Sequence, residues 1–174
     1  MATTRAFTST YTRIELIKTQ FRVTLRRTTL IENDTLEVIE RAIDNKWIKE
    51  LTIYAFDYYN YCRGELTLII DWNEFDIHMS QGNVKVAIDD QMWNNQTAVE
   101  IDELIRLFNK FVQSKGLQTR FVVQYPSHLD SNYINSQLGF VTADPVTWAK
   151  GGTINESLSI EELPELKIGL RLID

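Results

Sequence analysis

Three stretches of the chain carry apolar residues at helical spacing. From Thr12 onward, Ile14, Ile17, Phe21, Leu25 and Thr28 recur three and four apart, which is one stripe of an amphipathic helix. Thr12 and Glu15 stand at capping-box spacing, where each side chain satisfies a free backbone N–H at the helix start, and Tyr11 and Leu16 suit a hydrophobic staple. A second stripe, Leu36, Ile39, Ile43 and Trp47, follows the cap pair Asp34 and Glu37. The third is the widest: Ile101, Leu104, Ile105, Phe108, Phe111 and Val112, predicting a helix from Thr97 to Ser114. Thr97 and Glu100 would cap its start, and Gly116 stands where its C-cap belongs.

Between the second and third helices the period falls to two. The stretch Trp47 to Phe56 is rich in strand formers, and Leu66, Leu68, Ile70 and Trp72 alternate with Glu65, Thr67, Ile69 and Asp71. Phe75, Ile77 and Met79 alternate with Asp76, His78 and Ser80, which reads as another strand. Gln81-Gly82-Asn83 then turns the chain into Val84, Val86 and Ile88. Beyond the third helix, Phe121, Val123 and Tyr125 read as a strand ended by Pro126, and Ser131 to Leu138 as a short helix. From Val141 to Pro164 periodicity is lost and Gly151-Gly152, Pro145 and Pro164 appear, so this stretch reads as long and irregular. Leu166, Ile168, Leu170 and Leu172 form a closing strand. The expected architecture is an α+β domain: an antiparallel meander sheet packed on amphipathic helices, one domain over 1–174 with 141–174 a mobile C-terminal segment.

Composition narrows the function class. The chain has 174 residues, 44% of them hydrophobic and 24% charged, enough to bury a core without staples. One cysteine, Cys62, forms no internal disulfide, and with only His78 and His128 no zinc spacing arises. No metal and no cofactor is expected. Met1 to Ser9 lacks a secretory pattern, and no apolar run approaches the ~20 residues that span a bilayer, so the expected setting is the cytoplasm, away from membrane.

Charge is uneven. The net value is −6, yet the first 27 residues carry Arg5, Arg13, Lys18, Arg22, Arg26 and Arg27 against Glu15, a net +5 that leaves −11 over the rest. Lys18, Arg22 and Arg26 line one face of the first helix. Such a stripe either packs beside an acidic body or is kept for a partner, phosphates included. An acidic body repels nucleic acid and no stacking platform accompanies the stripe, so a solvated face or a protein partner is the preferred reading.

Candidate chemistry is sparse. On a strand, Asp76 and His78 would share a face and could converge on a cation, with Asp71 nearby, but such residues are equally ordinary at a turn or on an outward strand face. Asp71, Glu165 and Lys167 can be forced into nuclease-like spacing, as they can in most acidic chains. Cys62 shows no signal for activation, and Gly151-Gly152 lacks a phosphate-loop lysine. The chain therefore reads as a binder and not an enzyme. The sharpest binding feature is Asp57-Tyr58-Tyr59-Asn60-Tyr61-Cys62, where Tyr58, Tyr59 and Tyr61 sit between two strands. Tyrosine offers large amphipathic area at low entropic cost. A loop folded back onto its own sheet is the alternative.

The order of elements resembles the HORMA fold, in particular its small bacterial branch. The likeness covers about residues 8–125 and is carried by Tyr11-Thr12-Arg13 running into a basic amphipathic helix, and by a second helix entering the sheet through Lys46-Trp47-Ile48-Lys49-Glu50-Leu51. Residues 119–140 add a strand and a helix not matched to the family. The resemblance implies a non-enzymatic adaptor in anti-phage cyclic-oligonucleotide signalling. In that family a C-terminal safety belt wraps a partner peptide that adds a strand to the sheet; the activated partner is a nucleotidyltransferase, and an AAA+ ATPase remodels the closed form. Here 141–174 would be the belt. The rival reading is a nucleic-acid-binding or metal-dependent nucleic-acid-processing module that uses the basic first helix.

Overall fold

A computed structural model of the chain describes residues 7–80, 82–88, 92–138 and 146–174. Helix α1 (Arg13–Thr28) begins where the cap pair predicts: Thr12 accepts the Glu15 amide at 3.2 Å, and the stripe Leu16, Ile17, Phe21 and Leu25 is buried. Helix α2 (Asn33–Asp44) begins one residue before the predicted cap, after Glu32, which makes no side-chain capping bond. It ends in a Schellman turn: Lys46 takes a positive φ of 57° and the Trp47 amide reaches back to the Ala42 carbonyl. The long helix α4 (Asn95–Lys115) is capped by Asn94, which accepts the Thr97 amide, and not by Thr97 itself. Thr97 is inside the helix and buried. Gly116, at φ 61°, closes it as expected, because a left-handed residue is cheapest as glycine.

Strands β2 (Glu50–Phe56) and β3 (Cys62–Ile70) form an antiparallel hairpin. Strand β7 (Leu166–Ile173) pairs with β3, β6 (Thr153–Ser159) with β7, and β5 (Gln118–Gln124) with the other side of β2. The order is β5-β2-β3-β7-β6, antiparallel throughout. Leu51, Leu68 and Ile168 are in one row, and Ile53, Leu66 and Leu170 in the next. Both rows are buried beneath the helices. Helix α4 packs across β3, β7 and β6, and α1 packs on α2 and α4. The expected antiparallel sheet on amphipathic helices is what forms. Among the described residues no helix is long and apolar enough to cross a membrane.

Two expectations fail at the level of single elements. The alternation at 75–80 is not a strand but helix α3 (Trp72–Met79). Asp71 caps it, accepting the Glu74 amide at 3.0 Å, and only Phe75 is buried; a strand would have buried Ile77 and Met79 too, yet they are 63% and 53% exposed. The turn at Gly82, whose Gln81 lies outside the described residues, therefore joins a helix to β4 (Val84–Ile88). That strand leaves the main sheet to pair with β1 (Phe7–Tyr11). The second failure is at 141–164: residues 141–145 lie outside the described residues, but 153–159 form β6, not irregular chain. Only Ile154 and Leu158 break its polar run, since an edge strand with both faces near solvent has little to bury.

The C-terminal segment is fastened at several points. Arg13 and Glu165 form a buried ion pair at 2.8 Å that joins the start of α1 to the turn before β7. Glu162 accepts from the Asn94 and Thr97 side chains at the head of α4. Trp148 lies beside β3, with the Cys62 amide donating to the Thr147 carbonyl at 2.8 Å and the Ala149 amide to the Cys62 carbonyl at 2.9 Å. The Arg171 guanidinium covers the Trp148 ring at 3.9 Å.

Candidate functional site

A sheet ends in strands whose outer hydrogen-bonding groups have no partner, and such edges can accept another strand. Among the described residues the ends are β5 and β6. They differ in what surrounds them. Strand β6 is exposed along nearly its whole length and presents Thr153, Asn155, Ser157 and Ser159 to solvent on one face. Strand β5 borders a groove of about 650 Å³ whose other wall is the α1–α2 connection, Thr29, Leu30 and Ile31. Leu30 is fully exposed there, and Phe121 supplies an apolar floor. The connection is anchored: the Thr29 hydroxyl donates to the Leu25 carbonyl at 2.7 Å, and the Thr119 hydroxyl to the Thr28 carbonyl at 3.3 Å. An outer strand beside an exposed leucine is a surface suited to an extended peptide.

The tyrosine turn adjoins the same edge. Phe56 ends β2 opposite Gln118 of β5, and residues 57–61 follow. Asp57 organises them, accepting the Tyr59 amide at 2.9 Å and the Tyr61 amide at 3.0 Å while pairing with Arg63 at 2.8 Å. Asn60 takes a positive φ of 66°. Tyr58 (96% exposed) and Tyr59 (78%) stand out from the turn edge to face, 5.6 Å apart, and Tyr61 is half-exposed. These rings are not folded onto their own sheet. Arg120 joins turn to edge, donating to Asn60 at 3.3 Å and lying 4.0 Å over the Phe56 ring.

Partial burial opposes ionisation of Asp57, but the amides of Tyr61 and Tyr59 and the Arg63 guanidinium outweigh it and hold its carboxyl below the usual carboxylate range. A depressed folded-state pKa contributes stability that is present above the ordinary carboxylate value and lost as pH falls through the folded one. Acidification below about pH 4 is thus expected to loosen the turn, and Asp57→Asn to loosen it at neutral pH. Tyrosine fluorescence anisotropy checks both; an unchanged turn in the variant would remove Asp57 from this role.

The basic stripe is matched within the molecule. Lys18 pairs with Asp44 at 3.0 Å, Arg22 with Glu40, and Arg27 with Asp102 at 2.8 Å, while Arg26 donates to Asn33. Lys18 and Arg22 thus meet carboxylates of α2, the arrangement of a basic helix beside an acidic neighbour. A phosphate would have to displace them. The six predicted binding residues form two separate groups: the tyrosines beside β5, and Lys18, Arg22 and Arg26 along α1.

The acidic segment does not converge. Two residues apart on a helix, Asp76 and His78 point about 200° apart, Asp76 to Lys46 at 2.6 Å and His78 to Glu74 at 3.1 Å. Asp71 is a helix cap, and Glu165 is engaged by Arg13. Among the described residues no group of three His, Cys, Asp or Glu could hold a metal ion. Cys62 is fully buried, and burial pushes its thiol up to about 11, the opposite of an activated nucleophile.

No protein-family model matches the chain, and no curated protein does. Solved structures do match. One is C. elegans HTP-2 bound to the HIM-3 closure motif, with 13% identity, coverage of 93% of this chain and 88% of that one, and a TM-score of 0.48. Another is the E. coli MS115-1 HORMA:CdnC:Trip13 complex, with 11% identity, 100% and 96% coverage, and a TM-score of 0.39. A third is the mitotic checkpoint complex, with 12% identity, 87% and 72% coverage, and a TM-score of 0.43. The likeness is to HORMA-domain structures. It is diffuse.

Sequence reasoning singled out the tyrosine turn as a candidate but not Leu30, Ile31, Arg120 or Phe121. A usable signal was present: Leu30-Ile31 places two large apolar residues between helices, outside either buried stripe.

Proposed function

We propose that the chain is a non-enzymatic adaptor that captures an extended segment of a partner protein along the outer edge of β5. The observation that carries this is the place of β5 at one end of the sheet among the described residues, beside the groove walled by Leu30 and Ile31. Backbone groups of β5 would hold the peptide by strand addition, and alternate side chains would enter the groove. Tyr58, Tyr59 and Tyr61 would contact the peptide's flank. Residues 141–174 would act as the belt, with Trp148 and the β6–β7 hairpin keeping the segment seated on β3.

The narrower setting rests on the resemblance of the opening helices to bacterial HORMA domains. In it the captured peptide belongs to a nucleotidyltransferase of an anti-phage cyclic-oligonucleotide system, an AAA+ ATPase remodels the adaptor, and the site of action is the cytoplasm. Genes for both enzymes adjacent to this one would support that setting; their absence, with no binding to such a nucleotidyltransferase, would remove it.

Strand capture is tested by panning a library of random twelve-residue peptides on the protein and following amide hydrogen exchange with a recovered peptide bound. Protection is expected in 118–124. Leu30→Asp is expected to weaken binding roughly ten- to hundredfold, the equivalent of losing one buried leucine. Protection confined to α1, with Leu30→Asp binding as well as the parent, would sink the proposal.

A further inference from the structure

We infer that the segment captured by β5 carries an acidic residue flanked on both sides by apolar ones, its carboxylate paired with Arg120. The inference rests on the strand-capture reading and deepens it by naming the chemistry of the ligand. Directly opposed residues in a sheet point to the same face, so each row across the strands is a line of neighbouring side chains. One such row runs Arg171, Glu65, Tyr54, Arg120, from β7 through β3 and β2 to β5. Glu65 lies directly opposite Arg171 in this row. At the β5 end the row stops on a cation. Arg120 is exposed, its guanidinium meets an amide oxygen and a ring face, and it pairs with no carboxylate among the described residues. It differs in this from Lys18, Arg22 and Arg27, each of which has a carboxylate partner. The position next outward in the row belongs to the added strand, and its complement to Arg120 is aspartate or glutamate.

The pleat then settles the flanks. Thr119 and Phe121 point to the opposite face, where Thr29, Leu30 and Ile31 complete the groove. Phe121 stands opposite Ile53, which is fully buried on the helix side. Ligand residues on either side of the acidic one would face this wall, so they must be apolar. Val122 shares Arg120's face one step along the strand, so the ligand residue opposite it needs no charge. The resulting pattern is apolar–acidic–apolar in an extended segment.

The probes are two blocked, fluorescently labelled nine-residue peptides of alternating threonine and valine. One has aspartate at its centre between two valines; the other has lysine there. An exposed cross-strand ion pair shifts affinity only a few-fold, so wild type is expected to prefer the aspartate peptide by about five-fold at low salt, with the preference shrinking as salt rises. Arg120→Glu is expected to reverse the order, and Arg120→Gln to level it; circular dichroism checks that both fold. Equal binding of the two peptides by wild type, with Leu30→Asp abolishing both, would overturn the acidic preference while leaving strand capture standing. Failure of wild type to bind either peptide would overturn strand capture, and the inference with it.

Discussion

Glu165→Ala is expected to lower the stability of the protein by about 3–5 kcal/mol, measured by urea unfolding. Glu165 is wholly buried, and both its carboxylate oxygens face the Arg13 guanidinium, at 2.8 and 3.1 Å. Removing the carboxylate leaves the Arg13 charge in the interior without its counter-ion; its Nε has no hydrogen-bond partner among the described residues even now. The pair as a whole is a different matter, because its desolvation offsets most of its attraction. The double variant Arg13→Met, Glu165→Leu is therefore expected to recover most of the loss, to within about 1–2 kcal/mol of the parent. If Glu165→Ala cost under about 1 kcal/mol, it would show that water reaches the pair. The position of the pair matters as much as its strength. It ties the first residue of α1 to the residue before β7, so hydrogen exchange in β7 is expected to rise in the single variant more than in β2.

Phe108→Ala is expected to cost about 3–5 kcal/mol as well, by a different route. Phe108 is fully buried on α4, the helix that spans β3, β7 and β6. Truncation leaves a cavity that α4 is poorly placed to close, because Asn94 and Thr97 at its head are bonded to Glu162 of the C-terminal segment. A urea midpoint shift with an unchanged slope is the expected signature. A loss near 1 kcal/mol would mean the sheet and helix can close the gap. Both substitutions act on the interior beside β3, β7 and β6 and not on the β5 edge, so peptide capture should survive them wherever the variant remains folded.

Much of the fold was legible in the sequence because burial leaves a period. Helices α1, α2 and α4 each bury one side, so their stripes stand three and four apart. Strand β3 buries alternate residues, and Leu66, Leu68 and Ile70 announce it. Capping was legible where one pairing was available, as at Thr12, and ambiguous where two residues competed. Asn94 and Thr97 both suit an N-cap, and only the packing of Thr97 against Glu162 decides between them. The eight residues of α3 bury a single aromatic, too little for a helical stripe to emerge, so chance alternation suggested a strand.

The candidate site was legible in part. Tyr58 and Tyr59 declare themselves as large side chains in a short turn, whereas Leu30 and Arg120 mean little until β5 stands beside the α1–α2 connection, some 90 residues earlier in the chain. The sequence by itself determined which segments are helix and strand wherever one face is buried, and that the basic residues gather on the first helix. Tertiary structure decided which strands are neighbours, which strands end the sheet and which charges meet a partner. Pairing between distant strands depends on backbone hydrogen bonds that every residue offers alike, so side-chain pattern carries no record of it.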